Sequence, residues 1–261
     1  MELKSDTERG REGSAPGPGW IKADLHVHSA EDPCDRVDLT AAELVHVAVR
    51  EGYGALAVTL HRAVFDDPDL RSAAACLKLA LIRGVELRVE GADVVVLNIS
   101  APEAAAIRTL DELRDWREAR AGTGFLLLPH PFYFIGGSMG GRRAERYADM
   151  FDAVEFCHFH AGFMDRNRPA VEFARRHGLP LVATSDAHRR RSFGRHYTWI
   201  DTGGERTMEA VFDGIRAGRV RRVSPCCSPW DFLHVLWEVA VGHSLRKQLS
   251  RRRVPPLGWA A

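Results

Sequence analysis

The sequence lacks the marks of a secreted or membrane-spanning chain. Its apolar stretch at 230–241 is too short to cross a bilayer, which takes roughly 20 apolar residues. Residues 1–19 are rich in charge, glycine and proline and contain no apolar core of a signal peptide. The five cysteines are odd in number, scattered, and without the paired spacing of a zinc ribbon. We therefore expect a reduced, cytoplasmic protein with a disordered leader at 1–19.

Net charge is almost absent too. The formal value is only +1, so the molecule as a whole has no general electrostatic attraction to nucleic acid or to membranes. The charge is uneven, however, because nine Arg and Lys residues oppose two Asp and Glu residues from Ile215 onward. We predict a helical, basic tail at 223–261 and expect any contact with a partner or a membrane surface to involve it.

The rest of the sequence predicts one α/β domain at 20–222. A chain of 261 residues with 45% hydrophobic side chains can bury one large core. Short apolar strands alternate with helical segments, which is typical of βα units around a parallel sheet. Strands are predicted at 21–28, 55–60, 94–99, 124–128, 153–156 and 181–184, with another ending near Glu86, and helices at 40–51, 69–80, 102–120, 169–177 and 205–217.

Side chains that can bind metal recur where apolar runs stop. They are His26, His28, His61, Glu86, His130, Asp186 and His188. Residues two apart on a strand share a face, so the His26–His28 and Asp186–His188 pairs can each grip one ion, with Asp24 on the face of the first pair. Several imidazoles with a carboxylate suit Zn, Mn or Fe.

Each of these residues also has a structural alternative. The histidines can belong to polar strand faces or strand ends, and Glu86 can pair with Arg83 or Arg88. Behind this set, Glu155 and His158 follow a strand and are second-tier catalytic candidates, with a structural role equally open. Four arginines are candidates for binding a substrate phosphate, because guanidinium matches phosphate bidentately. They are Arg62, Arg142, Arg143 and Arg195, and a solvated surface role is the alternative for each.

The order of the motifs resembles a known family. His-x-His, Thr-Leu-His, Gly-Val-Glu, Pro-His-Pro, Val-Glu-Phe and Ser-Asp-Ala-His follow one another as in the polymerase and histidinol phosphatase (PHP) family of metal-dependent phosphoesterases. The resemblance covers residues 20–201. It implies a distorted (β/α)7 barrel like that of triosephosphate isomerase, with two or three divalent ions (Mn, Zn or Fe) and metal-bound water as the nucleophile.

The resemblance also implies how the ligands divide. His26, His28, Glu86 and Asp186 would hold one ion, Glu86 would bridge to a second ion at His130, and His61 and His188 would help to hold a further ion. Two positions depart from the family pattern. Leu60 stands where many members have Asp, and 29–35 lacks the usual Ser-Asp-Gly, which leaves Asp32 or Asp35 as the remaining candidate ligand.

We therefore expect a phosphatase or phosphodiesterase acting on a small phosphorylated metabolite or nucleotide. A 5′-to-3′ exonuclease or oligonucleotide phosphoesterase of the same family is an alternative, although nothing in the overall charge indicates nucleic acid. Amidohydrolases also use His-x-His on a first barrel strand, but the early Glu86 and the Asp-Ala-His motif fit the phosphoesterases better. A non-enzymatic, metal-bound scaffold with a partner-binding tail is the third reading.

Overall fold

The computed structural model describes residues 15–133, 136–161 and 165–228. The predicted leader and the predicted tail therefore lie largely outside the described residues. The chain divides into two compact units, 1–158 with 166–225 and 159–165 with 226–261. In the first unit, the described strands and helices lie between Trp20 and Val223. In the second, the Cys227 amide donates to the His160 carbonyl at 2.7 Å. Among the described helices, none has the length and apolar character needed to cross a membrane.

Nine strands of the first unit form one sheet. They are β1 (Trp20–Val27), β2 (Tyr53–His61), β3 (Ala80–Val89), β4 (Ala92–Leu97), β5 (Phe125–Leu128), β6 (Ala153–Phe156), β7 (Leu181–Ala183), β8 (Tyr197–Asp201) and β9 (Val220–Val223), in the order β7-β6-β5-β4-β3-β2-β1-β8-β9. The sheet curls until β7 meets β8, where the Thr198 hydroxyl contacts both the amide and the carbonyl of Ala183 at 2.8 Å. The expected α/β barrel is confirmed.

The barrel is distorted because two of its strands run against the others. β4 pairs antiparallel with both β3 and β5, and β8 pairs antiparallel with β1 and β9. β3 therefore does not end near Glu86, as the sequence predicted. It continues to Val89 and turns at Glu90 and Gly91 into β4, so Glu86 lies inside a β3–β4 hairpin. The strands β8 and β9 were not predicted.

In the described part of the chain, seven α-helices connect the strands. They are α1 (Ala41–Arg50), α2 (Pro68–Cys76), α3 (Ala101–Ala106), α4 (Leu110–Ala119), α5 (Gly141–Arg146), α6 (Asn167–His177) and α7 (Met208–Arg216). The helix predicted at 102–120 is two helices, because Ile107 is extended and Thr109 opens α4 with a capping box to Glu112. The helix predicted at 69–80 ends at Cys76, since Lys78 has a left-handed backbone with φ 59°.

Apolar side chains fill the barrel interior. Leu25, Ile82, Val95 and Phe125 are buried in one cluster, which Phe212 of α7 joins from the amino-terminal end of the parallel strands. Full burial of such a side chain contributes about 1.5–3 kcal/mol. The packed interior leaves the carboxyl ends of the parallel strands for polar groups, as in other α/β barrels.

One buried carboxylate holds the amino-terminal end together. Asp152, directly before β6, accepts hydrogen bonds from Arg117 of α4 at 2.5 and 2.9 Å and from Arg216 of α7 at 2.8 Å. It also accepts the Leu126 amide of β5 at 2.8 Å. The same Arg216 donates to the Gly124 carbonyl at 2.6 Å. Two helices and two strands therefore depend on a single anion.

Substitution Asp152→Asn should lower the free energy of unfolding by about 3 kcal/mol, because two largely buried guanidinium groups lose their counter-ion. Asp111→Asn is the matched control, since Asp111 pairs with Arg114 and Arg146 but is 61% exposed and should contribute at most about 1 kcal/mol. Urea unfolding followed by circular dichroism measures both. Equal losses in the two variants would contradict the role of Asp152.

Candidate metal centre

Strand β1 contains one extra residue where it approaches the carboxyl end of the barrel. Asp24 lies opposite Leu56 of β2, but Val27 lies opposite Val58, so β1 takes three steps where β2 takes two. An extra residue of this kind shifts the alternation of side chains and re-aims those beyond it. His26 and His28 therefore do not share a face with Asp24, in contrast to the simple alternation expected from the sequence.

The irregularity brings both histidines of the first motif to one carboxylate. The Nε2 atoms of His26 and His28 each lie 3.4 Å from Glu86 Oε2. Asp24 instead accepts the backbone amides of His26 and Ser185 at 3.3 and 3.1 Å. Burial raises the pKa of Asp24 to about 7 against the effect of these bonds. Asp24 thus ties β1 to the loop after β7.

Glu86 is the centre of the cluster. Its Oε2 atom lies 3.2–3.4 Å from the Nε2 atoms of His26, His28 and His61, and its Oε1 atom lies 3.4 Å from His130 Nε2. The carboxylate is buried. The two oxygens of Glu86 therefore face different imidazoles.

Asp186 closes the cluster from the opposite edge of β1. Its Oδ1 atom lies 3.2 Å from His28 Nε2, 3.6 Å from His26 Nε2 and 3.7 Å from His188 Nδ1. The Asp186 amide donates to the His26 carbonyl at 2.9 Å, which fixes the loop after β7 on β1. The two motifs that the sequence presented as pairs therefore meet.

Asp32 and Asp35 occupy different places. Asp32 Oδ2 lies 3.0 Å from His28 Nδ1 and 2.9 Å from His61 Nδ1, behind the two rings. Burial opposes ionisation of Asp32, but these histidines outweigh it and hold the pKa of its carboxyl well below the usual range. Asp35 Oδ2 lies 3.4 Å from His188 Nε2. Asp32 is placed to orient imidazoles, whereas Asp35 is placed beside one more candidate ligand.

The second-tier candidates separate as well. Glu155 Oε2 lies 3.4 Å from His26 Nδ1 and accepts the His130 amide at 3.2 Å, so this buried carboxylate positions two members of the cluster. The ring of His158 lies 5.7 Å from the ring of His196, centroid to centroid. Burial lowers the pKa of His158. Glu155 thus contacts both His26 and His130 directly.

Among the described residues, three groups of His, Asp and Glu side chains have candidate ligand atoms within 4.8 Å of one another. They are His26, His28 and Asp186, then His28, His61 and His188, then Glu86, Asp93 and His130. The structure thus brings together all seven residues first singled out in the sequence. Asp93 was missed, although it is an acid in the apolar strand β4, which is the signal that had drawn attention to Glu86 in β3.

The nitrogen atoms of the cluster fit a divalent cation. His26 Nε2 and His28 Nε2 are buried and have no partner with hydrogen-bond geometry among the described residues, although carboxylate oxygens lie 3.2–3.6 Å away. A buried polar atom left in this way costs about 1–3 kcal/mol. Imidazole nitrogens together with carboxylate oxygens form the donor set of Zn, Mn and Fe sites.

The charges of the cluster also favour a cation. Burial alone would lower the pKa of His26, but Asp186 and Glu86 outweigh it and raise that pKa well above its usual value. Burial likewise opposes ionisation of Glu86, yet the surrounding histidines hold its pKa well below the usual range. Burial also opposes ionisation of Asp186, but the neighbouring histidines hold its pKa well below the usual range. The carboxylates therefore stay ionised, and divalent ions compete with protons for the same nitrogens.

Two of the candidate ligands have an uncommon backbone. His130 has φ 30° and Asp186 has φ 45°, in the left-handed region. Such residues cost of order 1–3 kcal/mol each and concentrate at functional sites. His130 is further constrained because Pro131 follows it, and a residue before proline favours an extended backbone.

The arginines predicted to bind phosphate are not all at the cluster. The exposed Arg62 follows His61, and its amide donates to the Glu86 carbonyl at 2.9 Å. Arg143 Nη1 donates to the Glu90 carbonyl at the tip of the β3–β4 hairpin at 2.7 Å. Arg142 and Arg195 are exposed. A run at 189–191, three exposed arginines directly after His188, was missed although it is plain in the sequence.

Comparisons with known proteins give one family match and several similar folds. Residues 165–220 match the family described as PHP-associated. No curated protein matches the sequence. A two-domain protein from Bacteroides vulgatus, containing a predicted PHP-like metal-dependent phosphoesterase, has a similar structure with a TM-score of 0.62 at 18% identity, over 87% of this chain and 72% of that one.

Two further solved structures share the fold. An amidohydrolase from Chromobacterium violaceum superposes with a TM-score of 0.52 at 18% identity, over 82% of this chain and 96% of that one. The lesion-specific endonuclease Q from Pyrococcus furiosus superposes with a TM-score of 0.55 at 14% identity, over 78% of this chain but only 57% of that one. The order of its motifs, the PHP-associated match at residues 165–220 and the distorted barrel make the chain similar to the PHP domain family.

Proposed function

We propose that the chain is a metal-dependent phosphoesterase. The observation that carries this proposal is the convergence of four imidazoles on the two oxygens of Glu86. A buried carboxylate shared in this way supports two or three divalent ions, with Mn, Zn or Fe as the candidates. When bound, such ions lower the pKa of water toward neutrality and neutralise charge on the phosphoryl oxygens.

The protein's own residues hold the geometry of the reaction. Glu155 fixes the ring of His26 and the backbone of His130, and Asp32 fixes the rings of His28 and His61. Partners of this kind set the tautomer and the direction of a ligand. The exposed Arg62 beside the cluster is the candidate for binding the phosphate of the substrate.

We infer a small phosphorylated metabolite or nucleotide as the substrate class. The exposed arginines at 189–191, directly after His188, favour a substrate with considerable negative charge. They also support the second candidate function, an oligonucleotide phosphoesterase or exonuclease. The partner-binding tail stays a prediction, since residues 229–261 lie outside the described part of the chain. The cytoplasmic location stays a prediction as well.

A metal analysis and a substrate panel on one purified sample test the proposal. We expect two or three Mn, Zn or Fe ions per chain, loss of activity on chelation, and recovery with Mn²⁺ or Zn²⁺. The panel contains a phosphomonoester, a phosphodiester, nucleotides, a 5′-phosphorylated single-stranded oligonucleotide and an amide. Glu86→Gln should reduce activity by more than the roughly 10–100-fold that loss of a partner behind a ligand costs.

The outcomes of this panel separate the readings. Turnover of small phosphoesters supports the leading proposal, and salt-sensitive turnover of the oligonucleotide alone supports the second candidate. Turnover of the amide alone favours an amidohydrolase. A metal-loaded protein that is inert on every phosphoester contradicts the proposal and leaves the non-enzymatic scaffold.

Substitution Glu155→Gln should weaken metal binding by about 10–100-fold, because His26 and His130 lose the carboxylate that positions them. The matched control is Glu145→Gln, since Glu145 also contacts a histidine, His177, at 2.8 Å but lies on the surface. Competition against a fluorescent zinc chelator measures both affinities. The assignment of Glu155 would be wrong if both variants bound zinc as tightly as the parent.

A further inference from the structure

Asp93 reaches the cluster through the antiparallel β3–β4 hairpin. Glu86 lies opposite Val95, and Arg88 lies opposite Asp93. Val95 packs in the barrel interior. Residues two apart on a strand share a face, so Asp93 lies on the inward face, one step nearer the carboxyl end than Val95. No family motif identified in the sequence includes this strand.

The carboxylate of Asp93 is close enough to share an ion. One oxygen of Asp93, one oxygen of Glu86 and one nitrogen of His130 lie within 4.8 Å of one another. Ligand atoms at about 2.0–2.2 Å from one ion are at most about 4.4 Å apart, so only a small contraction is needed. Asp93 is 7% exposed, and its position therefore does not depend on a freely moving surface side chain.

A neighbouring arginine keeps one side of Asp93 occupied. Arg88 Nη1 donates to both oxygens of Asp93, at 3.0 and 3.1 Å, and also to the Gly136 carbonyl at 3.1 Å. A carboxylate offers about four lone-pair sites, so it can accept these bonds and still coordinate an ion. The Asp93 side chain is thus shared between the guanidinium and the cluster.

The same residues hold the loop that follows His130. The Asp93 amide donates to the Gly137 carbonyl at 2.7 Å, and the Ser138 hydroxyl donates to the His130 carbonyl at 2.6 Å. Gly137 has φ 114°, and a Cβ atom there would lie 1.5 Å from Asp93 Oδ2. Only glycine allows the loop to approach the carboxylate so closely. A purely structural role, in which Asp93 clamps this loop, is therefore the alternative to be tested.

We propose that Asp93 is a ligand of the ion held between Glu86 and His130, an assignment that rests on the proposed metal-dependent function. This group then offers two carboxylates and one imidazole, whereas the group of His26, His28 and Asp186 offers two imidazoles and one carboxylate. Oxygen donors suit harder cations. The ion at Asp93 is therefore Mn²⁺ or a similarly hard divalent cation in preference to Zn²⁺.

Three variants of the full chain test the assignment. Asp93→Asn keeps the shape and removes the charge, and Arg88→Gln breaks the clamp but leaves the carboxylate. Asp66→Asn is the matched control, because Asp66 also pairs with arginines, Arg71 at 2.8 Å and Arg83 at 3.1 Å, outside the three ligand groups. Mn²⁺ binding is measured by equilibrium dialysis and by the electron paramagnetic resonance signal of free and bound Mn²⁺.

We expect Asp93→Asn to bind one Mn²⁺ fewer per chain, or to bind it at least about 100-fold more weakly, since a lost ligand exceeds the cost of a lost partner behind a ligand. Arg88→Gln should keep the stoichiometry, and Asp66→Asn should match the parent. Equal weakening in Asp93→Asn and Arg88→Gln would show that Asp93 only clamps the loop. Unchanged binding in Asp93→Asn would also overturn the assignment.

Two further results complete the test. If Asp93→Asn does not fold, Asp93→Ser is measured in its place, because the smaller neutral side chain fits the same position without overpacking. If the parent protein binds Mn²⁺ and the Asp93→Asn and Arg88→Gln variants bind it equally well, Asp93 is not a ligand, but the proposed function still stands. Parent protein that binds no divalent ion contradicts the proposed function itself, and with it the assignment of Asp93.

Discussion

The buried carboxylate of Glu86 is the constraint on which the rest of the site depends. An ionised carboxylate away from water is strongly unfavourable unless positive charge or hydrogen-bond donors surround it. Here the compensating groups come from β1, from the end of β2 and from the segment after β5. These elements can reach one point only because the sheet curls into a barrel. The closure of the barrel and the electrostatics at the carboxyl end of its strands therefore depend on each other, and a cation bound there would couple its binding to folding.

The polar residues around Glu86 divide into those that face the centre and those that hold them. Asp32 and Glu155 each contact two members of the cluster, so each carboxylate fixes two directions at once. Asp24 acts on the backbone and joins the beginning and the end of the barrel. Two carboxylates therefore position four histidines of the cluster. The surrounding hydrogen-bond network also maintains the strained backbone at His130 and Asp186.

The barrel was predicted correctly from the sequence, and the seven residues singled out by side-chain type and order lie close together in the structure. It could not predict the extra residue in β1, since alternation looks regular until the partner strand is known. The β3–β4 hairpin was also missed. The sequence was read as one strand ending near Glu86 and a separate strand at 94–99, whereas Glu90 and Gly91 form the turn that joins two longer strands. Asp32 and Asp35 differ only in three-dimensional position.

Some signals were present and were not used. Thr109 followed by Glu112 is a capping box, which indicates a new helix inside the segment predicted as one. Asp93 in an apolar strand carried the same information as Glu86 in its neighbour. The arginines at 189–191 are visible as a basic run. In each case the residue type was informative, but its role depended on the position of neighbouring strand ends and helix starts in the fold.

The barrel closes between β7 and β8 with fewer backbone contacts than elsewhere in the sheet. β7 has three residues, pairs regularly with β6 alone, and meets β8 through the Thr198 hydroxyl at Ala183. Hydrogen bonds from one side-chain hydroxyl replace regular backbone pairing between β7 and β8. We expect these two strands to separate more easily than β2 and β3, which pair along seven residues. Asp186 lies three residues after the end of β7. Metal coordination by the candidate ligands would therefore displace the loop after the shortest strand, β7, more readily than Glu86, which lies within the longest strand, β3.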